Sequence, residues 1–285
     1  MAENERRAIE ALLARHGFHF SKSRGQNFLI DRAIPRAIAE ASGADEGCGV
    51  LEIGPGVGAL SHELCRRAGK VVAVELDAAL LPILGETMAD HGNFELLSGD
   101  VLRVDLPALV RERFAGLTPI VCANLPYNIT TPVLTKLIEA QCFTRLTVLI
   151  QREVAQRICA APGSAAYGAF SVFMQYHTAP ELCFEVAPES FIPRPKVTSA
   201  VLRAEVRKAP PVRVDDEAFF FRVVYAAFAL RRKTLVNSLM TAFGALGKEK
   251  LTDLVVSCGL DANVRGERLG LADFARLAVA LQGAR

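Results

Sequence analysis

The chain has 285 residues, enough for one large domain and a smaller one. Apolar residues make up 51% and charged residues 22%, as in a globular protein that buries a full core. The net charge is only +2, but residues 191–285 hold 16 Lys and Arg against 9 Asp and Glu. A basic C-terminal third suits a nucleic-acid-binding surface, and solvated helix faces would explain it equally well.

The cysteines and the N-terminal segment indicate a cytoplasmic protein. The seven cysteines form no Cys-x-x-Cys pair, and most of them, for example Cys122 and Cys159, lie in apolar segments. This pattern favours reduced core thiols over disulfides or a zinc site, so we expect no bound metal. The first 15 residues predict a short amphipathic helix without the apolar core of a signal peptide, and no run is long enough to span a membrane.

Apolar runs alternate with helical patterns along the first 200 residues. Such alternation predicts an α/β fold with a mostly parallel sheet and helices on both faces. The predicted strands begin at Val50 and then cover residues 70–75, 94–101, 119–123, 145–150 and 197–203. After a linker at residues 208–211 the pattern is helical only. We therefore predict one domain over residues 1–208 and a small all-α domain over residues 209–285.

Residues 18–30 predict a basic, polar loop that carries several phenylalanines and includes Arg24. A loop with Lys, Arg, Gln and Phe could contact RNA or could simply cap the sheet. Its composition alone does not decide between these two roles.

A glycine-rich turn follows the first predicted strand, with Gly54, Gly56 and Gly58 ahead of a helix start. Glycines at this place let the backbone turn sharply and approach a ligand closely. The pattern Gly-x-Gly-x-x-Ala also fits a dinucleotide-binding turn, so the glycines alone do not identify the cofactor. A purely structural turn is the alternative.

Acidic residues mark the ends of the next two predicted strands. Glu75 lies about 20 residues after the first glycine, at the place where a carboxylate holds a ribose diol, so we expect a nucleoside cofactor. Asp100 can accept a hydrogen bond from the exocyclic amine of the cofactor's adenine. An aspartate at such a position also commonly caps a turn or a helix.

The fourth predicted strand leads into Asn124, Leu125, Pro126 and Tyr127. In an open parallel sheet, ligands bind at this end of the strands. The amide oxygen of Asn124 and the backbone carbonyl of Leu125 can accept both hydrogens of an exocyclic amine. The proline favours an extended preceding residue, and the tyrosine offers a ring on which a base can stack. The group therefore suits attack by the amine of a planar base.

Two basic segments follow in the second half of the chain. Alternating prolines at residues 188–199 predict an extended loop that carries Arg194 and Lys196 and exposes Phe191. Farther on, Arg231, Arg232 and Lys233 precede a helix, where cations oppose the helix dipole. Contact with phosphates would account for this cluster, and simple solvation is the alternative.

Together these motifs resemble the ribosomal RNA adenine N6,N6-dimethyltransferases, and the resemblance spans most of the chain. The glycine turn is shared by most methyltransferases of this fold, whereas Asn-Leu-Pro-Tyr is typical of amino-group methylation. Gly-Gln-Asn-Phe-Leu at residues 25–29 and Pro-Arg-Pro-Lys-Val at residues 193–197 are together specific for the RNA family. The other matching segments are residues 52–58, Glu75, Asp100, residues 232–235 and residues 265–269.

The resemblance implies a Rossmann-like class I methyltransferase sheet with a small helical RNA-binding domain, and it implies roles for individual residues. Those expected to bind the cofactor, S-adenosylmethionine, are Asn27, Leu29, Gly54, Gly56, Gly58, Glu75, Asp100 and Asn124. Those expected to hold the target adenine are Asn124, Leu125, Pro126, Tyr127 and Phe191. Those expected to contact RNA are Arg24, Arg194, Lys196, Arg231, Arg232 and Lys233.

The implied activity is dimethylation of N6 on two adjacent adenines in a 3′-terminal hairpin loop of 16S ribosomal RNA. The implied partner is the immature 30S subunit, with a role in its biogenesis, and we expect a cytoplasmic monomer. The C-terminal motifs favour this branch over the related large-subunit adenine methyltransferases that confer antibiotic resistance.

Three different functions also fit parts of the pattern. A DNA adenine methyltransferase is disfavoured by the RNA-type N-terminal loop. A ribosome-assembly factor that acts mainly by binding is disfavoured by the intact Asn124, Tyr127, Glu75 and Gly54. An NAD-dependent dehydrogenase fits the glycines but gives no role to residues 124–127.

Overall fold

The structure is a computed structural model that describes residues 2–20 and 25–284, with side chains from residue 5 onward. The strands are β1 (Phe28–Leu29), β2 (Cys48–Ile53), β3 (Lys70–Glu75), β4 (Phe94–Ser98), β5 (Thr118–Asn124), β6 (Arg145–Gln151), β7 (Thr178–Val186), β8 (Phe191–Ile192) and β9 (Ser199–Val206). The helices are α1 (Ala2–Arg15), α2 (Ala33–Ser42), α3 (Ala59–Cys65), α4 (Leu81–Thr87), α5 (Leu106–Arg113), α6 (Thr130–Glu139), α7 (Arg152–Ile158), α8 (Ala169–His177), α9 (Glu217–Phe228), α10 (Leu235–Phe243), α11 (Lys248–Ser257) and α12 (Leu271–Gly283).

The main sheet has seven strands in the order β4-β3-β2-β5-β6-β9-β7. Strands β2 to β6 run parallel to their neighbours, and β9 pairs antiparallel with β6. The chain builds outward from β2 in both directions, first through β3 and β4 and later through β5 and β6. The strand order therefore reverses between β2 and β5, which is where open α/β sheets bind their ligands. The predicted mostly parallel α/β fold is confirmed.

The central strands are buried because their sequences are nearly continuous apolar runs. All six residues of β2 are buried, and β5 and β6 each have a buried apolar interior. Parallel strands covered on both faces require this pattern. Strand β7, at the edge of the sheet, instead mixes buried and exposed residues and was not among the predicted strands.

A second, two-stranded sheet joins the N-terminal loop to the proline-rich loop. Phe28 pairs with Ile192 and Leu29 pairs with Phe191 in antiparallel register. Phe191 is only 3% exposed and belongs to the hydrophobic core, so the prediction of an exposed aromatic is wrong. Phe191 pairs with a strand more than 150 residues away in sequence, and its ring packs into a core whose other members are also distant in sequence.

The chain forms two compact units, and their boundaries differ from the predicted ones. The first unit contains residues 1–155 and 181–206, and the second contains residues 156–180 and 207–285. The predicted domain boundary at residue 208 lies within two residues of the observed one, because the last segment of the first unit ends at Val206. Residues 156–180, however, belong to the second unit and not to the first. Contacts of this segment with the rest of the second unit explain its assignment; for example, the Tyr167 hydroxyl donates to the Leu269 carbonyl over 2.9 Å.

The second unit has its own apolar core, contributed mainly by α8, α9, α10 and α12. The largest fully buried side chains there are Tyr176, Phe220 and Phe274. Among the described residues, no helix is both long enough and apolar enough to cross a bilayer.

Candidate active site

A cleft opens at the carboxyl ends of β2, β3 and β5, where the strand order reverses. Its empty volume is about 1140 Å³ and includes open solvent. Its wall is formed by the residues that follow these three strands and by the segment around β1. The lining residues are Gly25 to Leu29, Glu52 to Val57, Ala59, Leu60, Val74 to Leu76, Leu80, Gly99 to Val101 and Asn124 to Ile129.

The glycine turn forms the floor of the cleft and packs against two of its other walls. Gly56 has a φ of +62°, and a Cβ atom on it would lie 3.0 Å from the Phe28 ring. Gly54 has a φ of +68°, and its Cβ would meet Pro126 at 3.9 Å. Side chains at these positions would strain the backbone and, at Gly56, crowd the Phe28 ring. Gly58 begins α3 and does not itself line the cleft.

Glu75 lies at the end of β3 with its carboxylate turned back toward the glycine turn. The backbone N–H of Asp77 donates to its Oε1 over 2.7 Å, and the backbone N–H of Gly56 also donates to the carboxylate. The residue is only 5% exposed, and burial raises its pKa, an effect that these backbone donors oppose. A fixed, partly dehydrated carboxylate of this kind can accept hydrogen bonds from a pair of hydroxyls.

Asp100 lines the cleft beyond the end of β4. Its Oδ1 accepts from the Leu102 backbone N–H over 2.9 Å, so it also caps the short helical turn at residues 101–103. The capping role and a ligand role are compatible, because a carboxylate has a second oxygen. That oxygen lies 3.8 Å from the exposed Arg103 guanidinium.

Asn124 is the last residue of β5 and is half-buried in the cleft wall. Its Nδ2 donates to the backbone carbonyl of Asn27 over 3.1 Å. This bond uses the amide's donor end and fixes which end is the acceptor, so Oδ1 remains available to accept. Asn27 is itself held by its Nδ2, which donates to the Gly25 carbonyl over 3.0 Å.

The three residues after Asn124 form a tight, ordered corner. The Leu125 backbone N–H donates to the Leu149 carbonyl over 3.1 Å, which anchors the corner to β6. Pro126 has an extended conformation (φ −57°, ψ 131°) and precedes a helical turn that begins at Tyr127. The Tyr127 hydroxyl lies 2.6 Å from the Ser199 hydroxyl at the start of β9, which fixes the ring of a cleft-lining residue.

The segment around β1 lies along the cleft and is tied to β3. Gln26 donates to Asp77 Oδ2 over 2.8 Å, and Asp77 lies two residues after Glu75, the last residue of β3. The rings of Phe18 and Phe20 pack on Phe28, which in turn covers Gly56. Leu29 is buried and lines the cleft.

Glu52, the last residue but one of β2, is the most deeply buried acid of the cleft at 1% exposed. Burial raises its pKa to about 8; the nearby Ser61 hydroxyl opposes this rise and the Glu75 carboxylate adds to it. Neither Glu52 Oε2 nor Ser61 Oγ meets hydrogen-bond geometry with any described residue. The cleft floor thus contains a carboxyl oxygen without a protein partner among these residues.

The structure brings together most of the residues predicted to bind the cofactor and the target base. Asn27, Leu29, Gly54, Gly56, Glu75, Asp100 and the group Asn124, Leu125, Pro126 and Tyr127 all line one cleft. Phe191 does not line it; it is buried and pairs with the cleft-lining residue Leu29 across β1 and β8. Gln26, Phe28, Glu52 and Ser199 were not predicted as site residues, although Gln26 and Phe28 lie within the matching segment 25–29 and Glu52 within the matching segment 52–58.

Among the described residues, the cations predicted to contact RNA lie outside the cleft. Arg194 and Lys196 are exposed, and Arg194 is paired with Glu189. In the second unit, Arg231 donates to the Ala165 carbonyl and lies 3.9 Å from Glu267, which accounts for its position structurally. Arg232 and Lys233 are exposed ahead of α10. Arg24 falls outside the described residues.

The donor set of the cleft fits a nucleoside that also carries a positive charge. Glu75 can bind a ribose diol, Asp100 an adenine amine, and the apolar side chains of Ile53, Leu76 and Val101 can cover a flat ring. Glu52 is buried in the cleft lining and has one oxygen without a partner among the described residues, so a nearby cation would stabilise its ionised form. S-adenosylmethionine has all of these features.

Solved structures with the same architecture include a 23S rRNA methyltransferase and a dimethyladenosine transferase. A crystal structure of the 23S rRNA methyltransferase ErmE is 25% identical with a TM-score of 0.69, and the alignment covers 90% of this chain and 99% of that one. A dimethyladenosine transferase from Plasmodium falciparum is 21% identical with a TM-score of 0.75, covering 90% of this chain and 98% of that one. The second likeness shows a shared fold.

Sequence relatives are closer. A ribosomal RNA small subunit methyltransferase A from Geobacillus sp. (strain WCH70) is 46% identical over 275 residues, which is 95% of this chain and 94% of that protein. The protein of that name from Streptococcus thermophilus (strain ATCC BAA-250 / LMG 18311) is 45% identical over 279 residues, 96% of each chain. The family model described as ribosomal RNA adenine dimethylase matches residues 17–281. The chain therefore belongs to the ribosomal RNA adenine dimethylase family.

Proposed function

We propose that the protein dimethylates N6 of two adjacent adenines in a 3′-terminal hairpin loop of small-subunit ribosomal RNA, with S-adenosylmethionine as the methyl donor. The observation that carries the proposal is the orientation of Asn124, whose amide N–H is engaged by the Asn27 carbonyl. Its oxygen is left as an acceptor in the cleft that also contains Glu75 and Asp100.

Different residues of the cleft bind different parts of the cofactor. Glu75 and Asp100 bind the nucleoside part of the cofactor, and the turn at Gly54 and Gly56 lets the backbone approach its amino-acid part. When bound, S-adenosylmethionine supplies a methyl group that its sulfonium makes strongly electrophilic. The protein therefore has to align this methyl group with the substrate amine, and such alignment supplies much of the rate.

Asn124 and Leu125 act on the substrate amine. The lone pair of an adenine N6 is delocalised into the ring, so the amine is a poor nucleophile. When Asn124 Oδ1 and the Leu125 carbonyl accept its two hydrogens, they favour the tetrahedral nitrogen that attack requires. This interaction strengthens in the transition state and so raises the rate. The nitrogen loses a proton only after it has become positively charged, so this scheme needs no general base.

Tyr127 positions the base. Its hydroxyl is held by Ser199, so the ring is presented at a fixed angle beside Asn124. An adenine in a loop, or one flipped out of a stack, can lie on such a ring at a gain of about 1–3 kcal/mol. Phe191 is buried and pairs with the cleft-lining residue Leu29, so we assign it to holding this wall of the site in place.

The RNA backbone is held by cations outside the cleft. Arg194 and Lys196 lie on the proline-rich loop of the first unit, and Arg232 and Lys233 are exposed in the second unit. We assign them, together with Arg24 and Arg231, to phosphate contacts that follow the shape and charge of the RNA. The second unit then serves mainly in RNA binding, and the first carries the chemistry.

The substrate is ribosomal RNA of the small subunit in its immature state, and the protein acts as a monomer in the cytoplasm. Support for the small-subunit branch comes from the relatives, because proteins named ribosomal RNA small subunit methyltransferase A are 45–46% identical over nearly the whole chain. The likeness to the 23S rRNA methyltransferase ErmE makes a large-subunit adenine the second candidate substrate.

A methyl-transfer assay with two separate substrates distinguishes small-subunit RNA from large-subunit RNA as the target. Labelled S-adenosylmethionine is incubated with the protein and either immature small subunits or naked large-subunit RNA, and the nucleosides are then analysed. We expect N6,N6-dimethyladenosine in the small-subunit RNA only. Label confined to large-subunit RNA would assign the protein to the second candidate, and tight subunit binding without transfer would reassign it as an assembly factor.

A further inference from the structure

The floor of the cleft contains an acid to which the proposed mechanism gives no role. Glu52 is 1% exposed, lines the cleft and has an Oε2 without a hydrogen-bond partner among the described residues. A buried, unpaired carboxylate is costly, so such a group is kept neutral unless a positive charge arrives beside it.

The groups around Glu52 offer no such charge within the described part of the ligand-free protein. From β3 it faces the Glu75 carboxylate, which repels a second negative charge. From α3 and β5 it faces the thiols of Cys65 and Cys122, whose pKa values are raised by burial and by Glu52 itself. Both thiols therefore stay neutral near pH 7. Ser61, by contrast, favours the ionised form, because its hydroxyl lies near the carboxyl group although it does not meet hydrogen-bond geometry with it.

We propose that Glu52 is the residue by which the cleft distinguishes the charged methyl donor from the spent product. This inference rests on the proposed function and deepens it. S-adenosylmethionine carries a sulfonium and an ammonium against one carboxylate, whereas S-adenosylhomocysteine has lost the sulfonium charge. Glu52 releases its proton to solvent when the cationic donor binds and regains a proton once the methyl group has left. Product thereby loses an ionic partner, which favours its exchange for fresh donor.

The burial of Glu52 explains why binding of the donor would release a proton. The pKa of Glu52 is about 8 in the ligand-free protein, so at pH 7 the group is mostly protonated. A neighbouring positive charge lowers the pKa of a carboxyl group, and binding of that charge then releases a proton. Below pH 8 the preference for the donor over the product should therefore rise with pH, by up to about tenfold per pH unit.

The test is calorimetric and does not use turnover. Binding of S-adenosylmethionine and of S-adenosylhomocysteine is measured at pH 6, 7 and 8, and at pH 7 in phosphate and imidazole buffers, whose different ionisation enthalpies report protons released. For the wild-type protein we expect more proton release with the donor than with the product, and a donor-to-product affinity ratio that rises between pH 6 and pH 8.

Variants assign the effect to Glu52. In Glu52→Gln the amide has the shape of the protonated acid, and we expect the affinity ratio to become independent of pH. In Ser61→Ala, loss of the hydroxyl raises the pKa of Glu52 further, so the rise should move to higher pH. Thr147→Val removes another buried hydroxyl without a partner among the described residues, away from the cleft lining, and should change nothing.

The outcomes separate this inference from the proposed function. Equal proton release for both ligands in the wild-type protein would overturn the role of Glu52 even if no variant folds. An unchanged pH slope in Glu52→Gln would also overturn it. Both results leave the cofactor assignment intact, because both ligands still bind. If neither ligand binds at any pH, the proposed function itself fails and this inference fails with it.

Discussion

The hydroxyl of Tyr127 lies 2.6 Å from the hydroxyl of Ser199, which joins the corner after β5 to the first residue of β9. Strand β9 is the antiparallel neighbour of β6, so the ring's position depends on a strand whose residues do not line the cleft. The corner after β5 is thus held in place by a strand two positions away in the same sheet. Burial raises the pKa of Tyr127, so it stays protonated and able to donate.

The first prediction is that Ser199→Ala and Tyr127→Phe have the same effect. Each removes one end of a single hydrogen bond worth about 1 kcal/mol, so we expect turnover to fall by about three- to tenfold with cofactor affinity unchanged. The double variant should be no worse than either single one, because the shared bond is already lost. Additive losses in methyl transfer would show that the two hydroxyls act separately.

The second prediction concerns Asn124→Ala. The substitution removes the acceptor for the substrate amine, and interactions made mainly in the transition state are worth about 2.7–4 kcal/mol. We expect turnover to fall at least a hundredfold, while the dissociation constant for S-adenosylmethionine changes less than about threefold. The variant also frees the Asn27 carbonyl, so binding is measured by calorimetry beside methyl transfer. Equal losses in affinity and turnover would make Asn124 a cofactor-binding or structural residue.

The third prediction is that Gly56→Ala abolishes tight cofactor binding. Gly56 has a positive φ, and a Cβ would lie 3.0 Å from the Phe28 ring, so the turn or the ring must move. We expect S-adenosylmethionine affinity to fall at least tenfold. Gly85→Ala is the matched control, because Gly85 lies within α4 without a positive φ, and a Cβ added there would meet nothing within 4 Å. It should leave binding unchanged and stabilise the fold by about 0.5–1 kcal/mol.

The sequence predicts the parallel sheet and the cleft well because both depend on local patterns. Buried parallel strands are apolar throughout, and the glycines, Glu75, Asp100 and Asn124 each lie at or just beyond the end of a strand. Residues at the carboxyl ends of adjacent parallel strands must lie at one edge of the sheet. Their meeting in one cleft therefore follows from the order of the strands alone.

The features that the sequence does not predict depend on distant pairing. The two-residue strands β1 and β8 are too short to give a periodic pattern, and Phe191 is buried in a core built from residues distant in sequence. Edge strand β7 alternates irregularly between buried and exposed residues. Residues 156–180 join the second unit through contacts such as the one between Tyr167 and Leu269, which no local pattern reveals.

The fourth prediction is that Glu52→Gln stabilises the ligand-free protein in a pH-dependent way. Burial raises the folded-state pKa of Glu52 to about 8, whereas a glutamate in an unfolded chain has a pKa of about 4.3. Below about pH 4 both states hold the proton, and Glu52 carries no cost. As the pH rises toward 8, the unfolded state releases the proton first, so the wild-type protein loses stability.

The glutamine variant has no such loss. Its advantage in Tm over the wild-type protein should be small at pH 4.5, grow to about 5 °C or more by pH 8, and level off above that. Thermal unfolding of both proteins without ligand measures this difference, with Thr147→Val as a buried-polar control. A difference between Glu52→Gln and wild type that is constant over this range would show that Glu52 is ionised in the folded protein.

The fifth prediction concerns the cations ahead of α10. Arg232→Gln combined with Lys233→Gln removes two exposed positive charges from the second unit. If both contact phosphates, affinity for small-subunit RNA should fall, and the slope of log K against log salt should become shallower by about 1.8. Filter binding from about 50 to 200 mM salt measures this slope.

Lys248→Gln provides the control for the charge cluster, since Lys248 is exposed at the start of α11 in the same unit but is not part of the cluster. We expect it to leave the salt slope unchanged. Cofactor affinity should be the same in both variants and in the wild-type protein, because none of these residues lines the cleft. Equal salt slopes for the double variant and Lys248→Gln would show that Arg232 and Lys233 are solvated and do not contact phosphates. RNA binding by this unit would then require other residues.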